Sequence, residues 1–314
     1  MLFRTEIDAQ KSLWGISHKD KICLIGSCFT SNIGKKLQES GFTTLLNPYG
    51  IIYNPYTIAE CLLHCLENKP LNNEDLLQAG DFWVSYSHHG DFRAQTQAQE
   101  LYLINTEIDR AHKWLKETKY LIITLGSAWI YTNKENGRVM GNCHKLNPNL
   151  FSRGLMSLQE TTQCLKESIS SFLATTTVQN PKIILTVSPI RHWKDGAHGN
   201  QISKSTLHLA IENILQKFEQ AVYFPSYEII LDDLRDYRFY EEDMLHPNPM
   251  AVNYIWEKFS QSYFNQKTME LCTMFQKLNK MKAHRPFNPE DKEYQKHLQN
   301  IALLEQELKK KIGQ

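Results

Sequence analysis

Nowhere does the sequence hold the roughly 18 consecutive apolar residues of a membrane-spanning helix. Its opening stretch, MLFRTEIDAQKSLWGISHKDK, lacks the apolar core and small-residue cleavage site of a signal peptide. The cytoplasm is therefore the expected address. An excess of charge is missing too. Thirty-five Lys and Arg face 34 Asp and Glu, a formal net charge of +1, so no global field draws the chain to nucleic acid or anionic lipid. The seven cysteines form an odd set without a CxxC pair, which argues against a disulfide framework or zinc ribbon and for free thiols. With 41% hydrophobic and 22% charged residues the chain is neither disordered nor fibrous. Its 314 residues allow one large α/β domain with an insertion, or two domains of ordinary size.

The first strong local signal is KICLIGSCFTSNIGKKLQESG. An apolar run at 21–25 closes on Gly26, and helical spacing then carries through Ile33 and Leu37 to Gly41. That is strand, tight turn, helix. Residues 42–46 read as a second strand, 47–56 as an ordered loop with two prolines and a glycine, and 57–67 as a helix. Residues 68–119 break the alternation: a hairpin over 81–92 and a long helix read as an insertion. Three further buried-strand candidates follow at 120–124, 182–187 and 221–224, with a hairpin on Asn136-Gly137 and a crossover helix over 157–173 between the first two. Strands separated by helices argue for a mostly parallel sheet covered on both faces, a three-layer α/β sandwich.

The domain spans residues 1–264 on this reading, and residues 265–314 form a helical extension with Ile301, Leu304 and Leu308 on one stripe. The stripe packs on the domain or on a second copy, so the expected protein partner is a homo-oligomer contact through this helix.

In open parallel sheets ligands bind beyond the carboxyl ends of the strands. Those ends are Gly26-Ser27-Cys28, Gly126-Ser127-Ala128-Trp129 and Ser188-Pro189-Ile190-Arg191-His192. Further on, Pro247 and Pro249 keep Asp243 and His246 out of a continuous helix, on a loop before the last core helix. A carboxylate at that spacing can take the Nδ1 proton and leave Nε2 as a base. Arg191, His192, Asn200, Ser203 and Lys204 follow the strand at 182–187 and are candidate binders of an anionic or sugar substrate. The pairs His88-His89 and Cys143-His144, with His192 and His198, have no metal-ligand spacing, so no metal is expected, and nothing calls for a cofactor.

The run Ile25-Gly26-Ser27-Cys28-Phe29-Thr30 resembles the name-giving motif of the GSCFA domain family, which is similar in turn to the SGNH/GDSL hydrolases. Supporting matches are Asn47-Pro-Tyr-Gly50 through Asn54-Pro55, Thr124-Leu-Gly-Ser, Asn142-Cys143-His144-Lys145, Ser188-Pro189, Ser203-Lys204-Ser205, Tyr223 through Glu228, and Asp243-x-x-His246-Pro247. The resemblance implies a flavodoxin-like sheet, a nucleophile after the first strand and an Asp-x-x-His loop near the end. Laid on the Gly-Asp-Ser block, Ser27 takes the aspartate's place and Cys28 that of the nucleophilic serine, with Ser27 as the alternative nucleophile. The oxyanion hole of such enzymes takes a glycine N–H, here Gly50, and an asparagine whose place is held by Ala128, so that Asn142 is the substitute donor. His144, from the same block, joins Arg191, His192, Asn200 and Lys204 on the substrate side.

The function expected is acyl-ester chemistry on a small-molecule or carbohydrate ester. Cys28 or Ser27 attacks, His246 acts as base then acid, and Asp243 orients it. Ester hydrolase and O-acyltransferase both use this acyl-enzyme and both stay open. A thiol at a helix N-terminus beside an imidazole is expected to ionise readily. The competing class is a non-catalytic carbohydrate-binding or scaffold protein on the same fold.

Overall fold

The computed structural model describes residues 4–8, 10–286 and 292–313. The chain runs β1 (Lys21–Gly26), α1 (Cys28–Glu39), β2 (Thr43–Leu46), α2 (Pro55–Glu67), β3 (Leu76–Ala79), β4 (Phe82–Ser85), α3 (Gln97–Lys116) and β5 (Thr118–Leu125). It continues with β6 (Trp129–Asn133), β7 (Val139–Met140), β8 (Phe151–Leu155), α4 (Leu158–Thr175), β9 (Lys182–Val187), α5 (Gly196–Lys217) and β10 (Ala221–Tyr223). Last come α6 (Ser226–Glu228), a π-helical turn (Ile229–Leu234), α7 (Pro249–Tyr263), α8 (Gln266–Ala283) and α9 (Lys292–Gly313).

Five strands form a parallel sheet in the order β10-β9-β5-β1-β2. Counted among themselves they stand 2-1-3-4-5, the flavodoxin-like order, whose switch point lies between β1 and β5. Alternate residues of each strand feed opposite layers. Cys23, Ile25, Leu121, Ile123, Ile183 and Leu185 pack with α2, α3, α4 and α5 on one face. Ile22, Leu24, Tyr120, Ile122 and Ile184 pack with α1 and α7 on the other. The three-layer α/β sandwich is thus present, with a helical region at the C-terminus.

Two local expectations move. The hairpin read at 81–92 is β3–β4, turning on Gly80 and Asp81 with Ala79 level with Phe82, because Gly80 adopts φ 62° there. The helix α3, read as part of an insertion, buries Ile104, Ile108, Ala111 and Leu115 in the main core. The Asn136-Gly137 hairpin forms, but β6 pairs over its length with β8, whose sequence FSRGL has little strand character. In the tail, Ile301, Leu304 and Leu308 close on Leu271, Met274, Phe275 and Leu278 of α8, so α9's apolar stripe is covered within the chain. No helix among the described residues is long and apolar enough to cross a membrane.

Candidate functional site

β1 ends on Gly26, where the chain turns away from the sheet at φ 151°, and a Cβ there would lie 2.4 Å from the carbonyl oxygen of Thr124. Only glycine fits this approach. Its N–H donates to Asn47 Oδ1 at 2.9 Å, and Asn47 Nδ2 donates to Ser31 Oγ at 3.1 Å, so the loop after β2 fixes the start of α1. Ser27 is the N-cap residue but makes no capping bond; its hydroxyl is buried and has no partner. Cys28, the first residue of α1, is only half-buried. Of the two candidate nucleophiles it is the one open to solvent.

Burial pushes the Cys28 thiol up. The N–H groups of Cys28 and Phe29 and the ammonium of Lys204 pull it down, Asp243 adds to the rise, and burial wins. The ready ionisation expected of a helix N-terminus is therefore not met in the resting protein: the sulfur carries its proton, and an attack by it needs a base.

The loop before α7 supplies an acid–base pair. Tyr240 bridges to Pro247, and the Glu241 N–H donates to the carbonyl of His246 at 2.8 Å, closing the loop at its neck. Asp243 Oδ1 accepts the N–H groups of Leu245 and His246, each at 2.9 Å, and Oδ2 lies 2.5 Å from His246 Nδ1. These bonds, the backbone ones first, hold the Asp243 carboxyl down at about 2. With Nδ1 turned to Asp243, Nε2 is left as the free ring nitrogen of a side chain that is about half exposed. No hydrogen bond joins Cys28 Sγ to the His246 ring. Asp243 acts electrostatically on Cys28, and His246 on His192.

The residues after β9 divide. His192 has its ring 5.3 Å from that of Tyr53 and its backbone N–H donated to Asn200 Oδ1 at 2.9 Å. Burial, helped by Lys204, Arg153 and His246, drives its imidazole down to about 4, so it is neutral at pH 7. Asn200 is buried and shapes the His192 loop. One guanidinium nitrogen of Arg191 donates to the carbonyl of Met244, and the group lies 5.2 Å from the ring of Trp193 and 5.0 Å from that of Tyr240. It is a strut for the Asp243 loop. Lys204, expected at the mouth, is 1% exposed, its Nζ donating to the carbonyls of Gly126 and Ser188 at 2.7 Å each. The buried face of α5 runs Asn200, Ser203, Lys204, Leu207, Ala210, Ile211, Ile214, a helical stripe that could have placed Lys204 inside from sequence.

The two expected oxyanion donors fare differently. Gly50, whose Cβ would meet that of His89 at 2.4 Å, donates its N–H to the carbonyl of Asn47 at 2.7 Å, so that donor is already engaged. Asn142 Oδ1 accepts the His144 N–H at 2.7 Å, and His144 Nε2 lies 2.8 Å from the carbonyl of Ser85. This block packs beside the β3–β4 hairpin through His144 and Ser85, and Cys143 acts electrostatically on Tyr53. Ala128 is fully buried in the core. The sequence reading missed Tyr53, whose carbonyl accepts the N–H groups of Gly126 at 2.7 Å and Ser127 at 3.2 Å. Among the described residues no group of three His, Cys, Asp or Glu is arranged to hold a metal. A cavity of about 1030 Å³ lies elsewhere, between the end of α1, α7 and α8, and holds none of these groups.

Fold and site define a doubly wound α/β protein with a thiol and a carboxylate–imidazole pair at the edge where ligands bind in such sheets. The chain belongs to the GSCFA family, whose profile matches residues 21–259; that of the GSCFA domain protein C-terminal domain matches residues 275–313. No curated protein matches it.

Proposed function

We propose that this protein carries out acyl-ester chemistry through an acyl-enzyme on Cys28, in the manner of the SGNH/GDSL hydrolases that its motifs resemble. What supports the reading is the 2.5 Å contact between His246 Nδ1 and Asp243 Oδ2, in a loop whose carboxylate acts electrostatically on Cys28 at the end of β1. His246 Nε2 takes the thiol proton as Sγ attacks the ester carbonyl, and the imidazolium is stabilised by Asp243. The alcohol leaves with that proton, and a thioester remains on Cys28. Water or a sugar hydroxyl then attacks with His246 as base, giving an acid or a new ester and restoring the thiol. The first-turn N–H groups of Cys28 and Phe29 are the donors nearest the developing oxyanion. The seven free cysteines suit a reducing compartment and so a cytoplasmic site of action.

A second reading, a carbohydrate-binding or scaffold protein without turnover, draws on the engaged Gly50 N–H, the buried Ala128 and the absence of a hydrogen bond between Sγ and the ring. Incubation with p-nitrophenyl acetate and mass spectrometry of the Cys28 peptide separates the two. The acyl reading expects an acetyl adduct on Cys28 that is lost in Cys28→Ala and formed at least tenfold more slowly in His246→Ala. Absence of the adduct, or indifference to His246, favours the binder.

A further inference from the structure

The ammonium of Lys204 is the least expected charge in the fold. It is buried, and its partners are two neutral carbonyls, those of Gly126 and Ser188. Among the described residues no carboxylate lies within ion-pair distance of it. Desolvating an ammonium costs several kcal/mol, and a tie between the ends of β5 and β9 needs only neutral donors. The charge must act on something. Leu125 stands level with Val187 and Gly26 with Thr124, so both carbonyls that hold Nζ lie just beyond strand ends: that of Gly126 follows β5, one strand spacing of about 4.8 Å from β1 and Cys28, and that of Ser188 follows β9, one strand further. The titratable groups around the ammonium are Cys28 on α1, His192 before α5, His208 on α5 and the Tyr227 ring, 5.5 Å away. Its field opposes protonation of both histidines and favours the Cys28 thiolate, and Cys28 in turn favours the charged lysine. Burial holds Lys204 down at about 7.

We propose that Lys204 is the charge partner of Cys28: a buried ammonium, fixed on two strand-end carbonyls, that holds the negative charge developing on the sulfur. It acts through its field and makes no hydrogen bond to Sγ. With Lys204 held at about 7, the charge is present in the molecules protonated at and below neutral pH; in those it stays protonated while the thiol proton moves to His246, so no proton is lost or gained at Nζ. The pairing rests on Cys28 being the reactive group of the site, but its test needs no turnover.

The full chain is alkylated with iodoacetamide from pH 6 to 10, and the Cys28 peptide is followed by mass spectrometry. In Lys204→Gln the rate at pH 6, where Lys204 carries its charge, should fall about tenfold, with Lys204→Arg recovering most of it. An unchanged profile in folded Lys204→Gln overturns the pairing. Should loss of the tie unfold that variant, Cys28→Ser supplies the reciprocal measurement, since coupling between two sites acts equally on both. The 13Cε resonance of Lys204 should then titrate at lower pH than in the native protein, and an unmoved midpoint overturns the proposal. Coupling seen in a protein that forms no acyl adduct would sink the acyl-enzyme reading and leave the pairing standing.

Discussion

The backbone of Gly26 passes Thr124 so closely that a Cβ would stand 2.4 Å from its carbonyl oxygen and 2.7 Å from the hydroxyl of Thr30. Those contacts are why β1 can hand over to α1 in a single residue. Gly26→Ala should therefore destabilise the protein by about 2 kcal/mol or more, from strain at a positive φ and from displacement of a neighbouring strand. Urea unfolding reads the loss. Because the same shift moves the start of α1, Cys28 alkylation should change too, whereas Gly80→Ala, on a turn with open space around it, should leave Cys28 alone.

Glu100, in the first turn of α3, is fully buried, and neither of its carboxylate oxygens has a partner. Burial raises its carboxyl from the ordinary 4.5 to about 7. The folded state thus holds the proton more tightly than the unfolded chain, so stability is greatest below about pH 4.5 and falls as pH rises through 7. The loss by pH 8 is about 3 kcal/mol. Glu100→Gln, neutral throughout, should flatten that slope and be more stable than the native protein at pH 8. Thermal unfolding from pH 4.5 to 8 checks it, and parallel curves for the two proteins would show that Glu100 finds a partner when charged.

Arg191 ties the end of β9 to the Asp243 loop through the Met244 carbonyl and through Tyr240 and Tyr237, whose rings lie 5.0 Å and 5.9 Å from the guanidinium. Met244 sits at φ 59°, a conformation this loop must be held in. Arg191→Met should leave global stability within about 1 kcal/mol and speed hydrogen exchange at the amides of 241–246 by tenfold or more. If Arg191 instead receives the substrate, exchange will not move and only ligand affinity will.

What the sequence discloses and what it hides follow from the range of each interaction. β1, β5 and β9 are readable because strands buried on both faces need near-continuous apolar runs. Asp243 and His246 are readable because they stand three residues apart just before Pro247 and Pro249, which makes their contact local. The engaged N–H of Gly50 was legible as well: Asn47-Pro48-Tyr49-Gly50 is a turn with proline in its second place, which sends the fourth N–H to the first carbonyl. The α5 stripe marks Lys204 as buried, but what it and Arg191 bind is another matter. Both follow the same strand and carry the same charge, yet one ends on a surface loop and the other under the sheet edge. Their long-range partners, Met244 and Gly126, leave no mark near them in the chain. The protonation of Cys28 depends likewise on Lys204 and Asp243, which meet it only in the fold.

Ser27 and Cys28 are adjacent, and the structure gives opposite expectations for their removal. Ser27 occupies the N-cap without using its hydroxyl there, and the buried oxygen has no partner. The usual cost of deleting a capping serine, about 1 kcal/mol, should therefore be absent, and removing an unsatisfied buried hydroxyl should be neutral or stabilising. A hydroxyl 4% exposed also cannot reach an ester without movement of α1. Ser27→Ala should accordingly unfold at the same or higher temperature than the native protein and keep its acetyl adduct on Cys28. Cys28→Ala should fold equally well and form no adduct. Cys28→Ser is the sharper comparison: the introduced hydroxyl stands in the same place but is far harder to ionise, so a slow residual adduct on that oxygen is expected. Acylation that survives in Cys28→Ala and disappears in a folded Ser27→Ala would assign the attack to Ser27 and make Cys28 a packed neighbour.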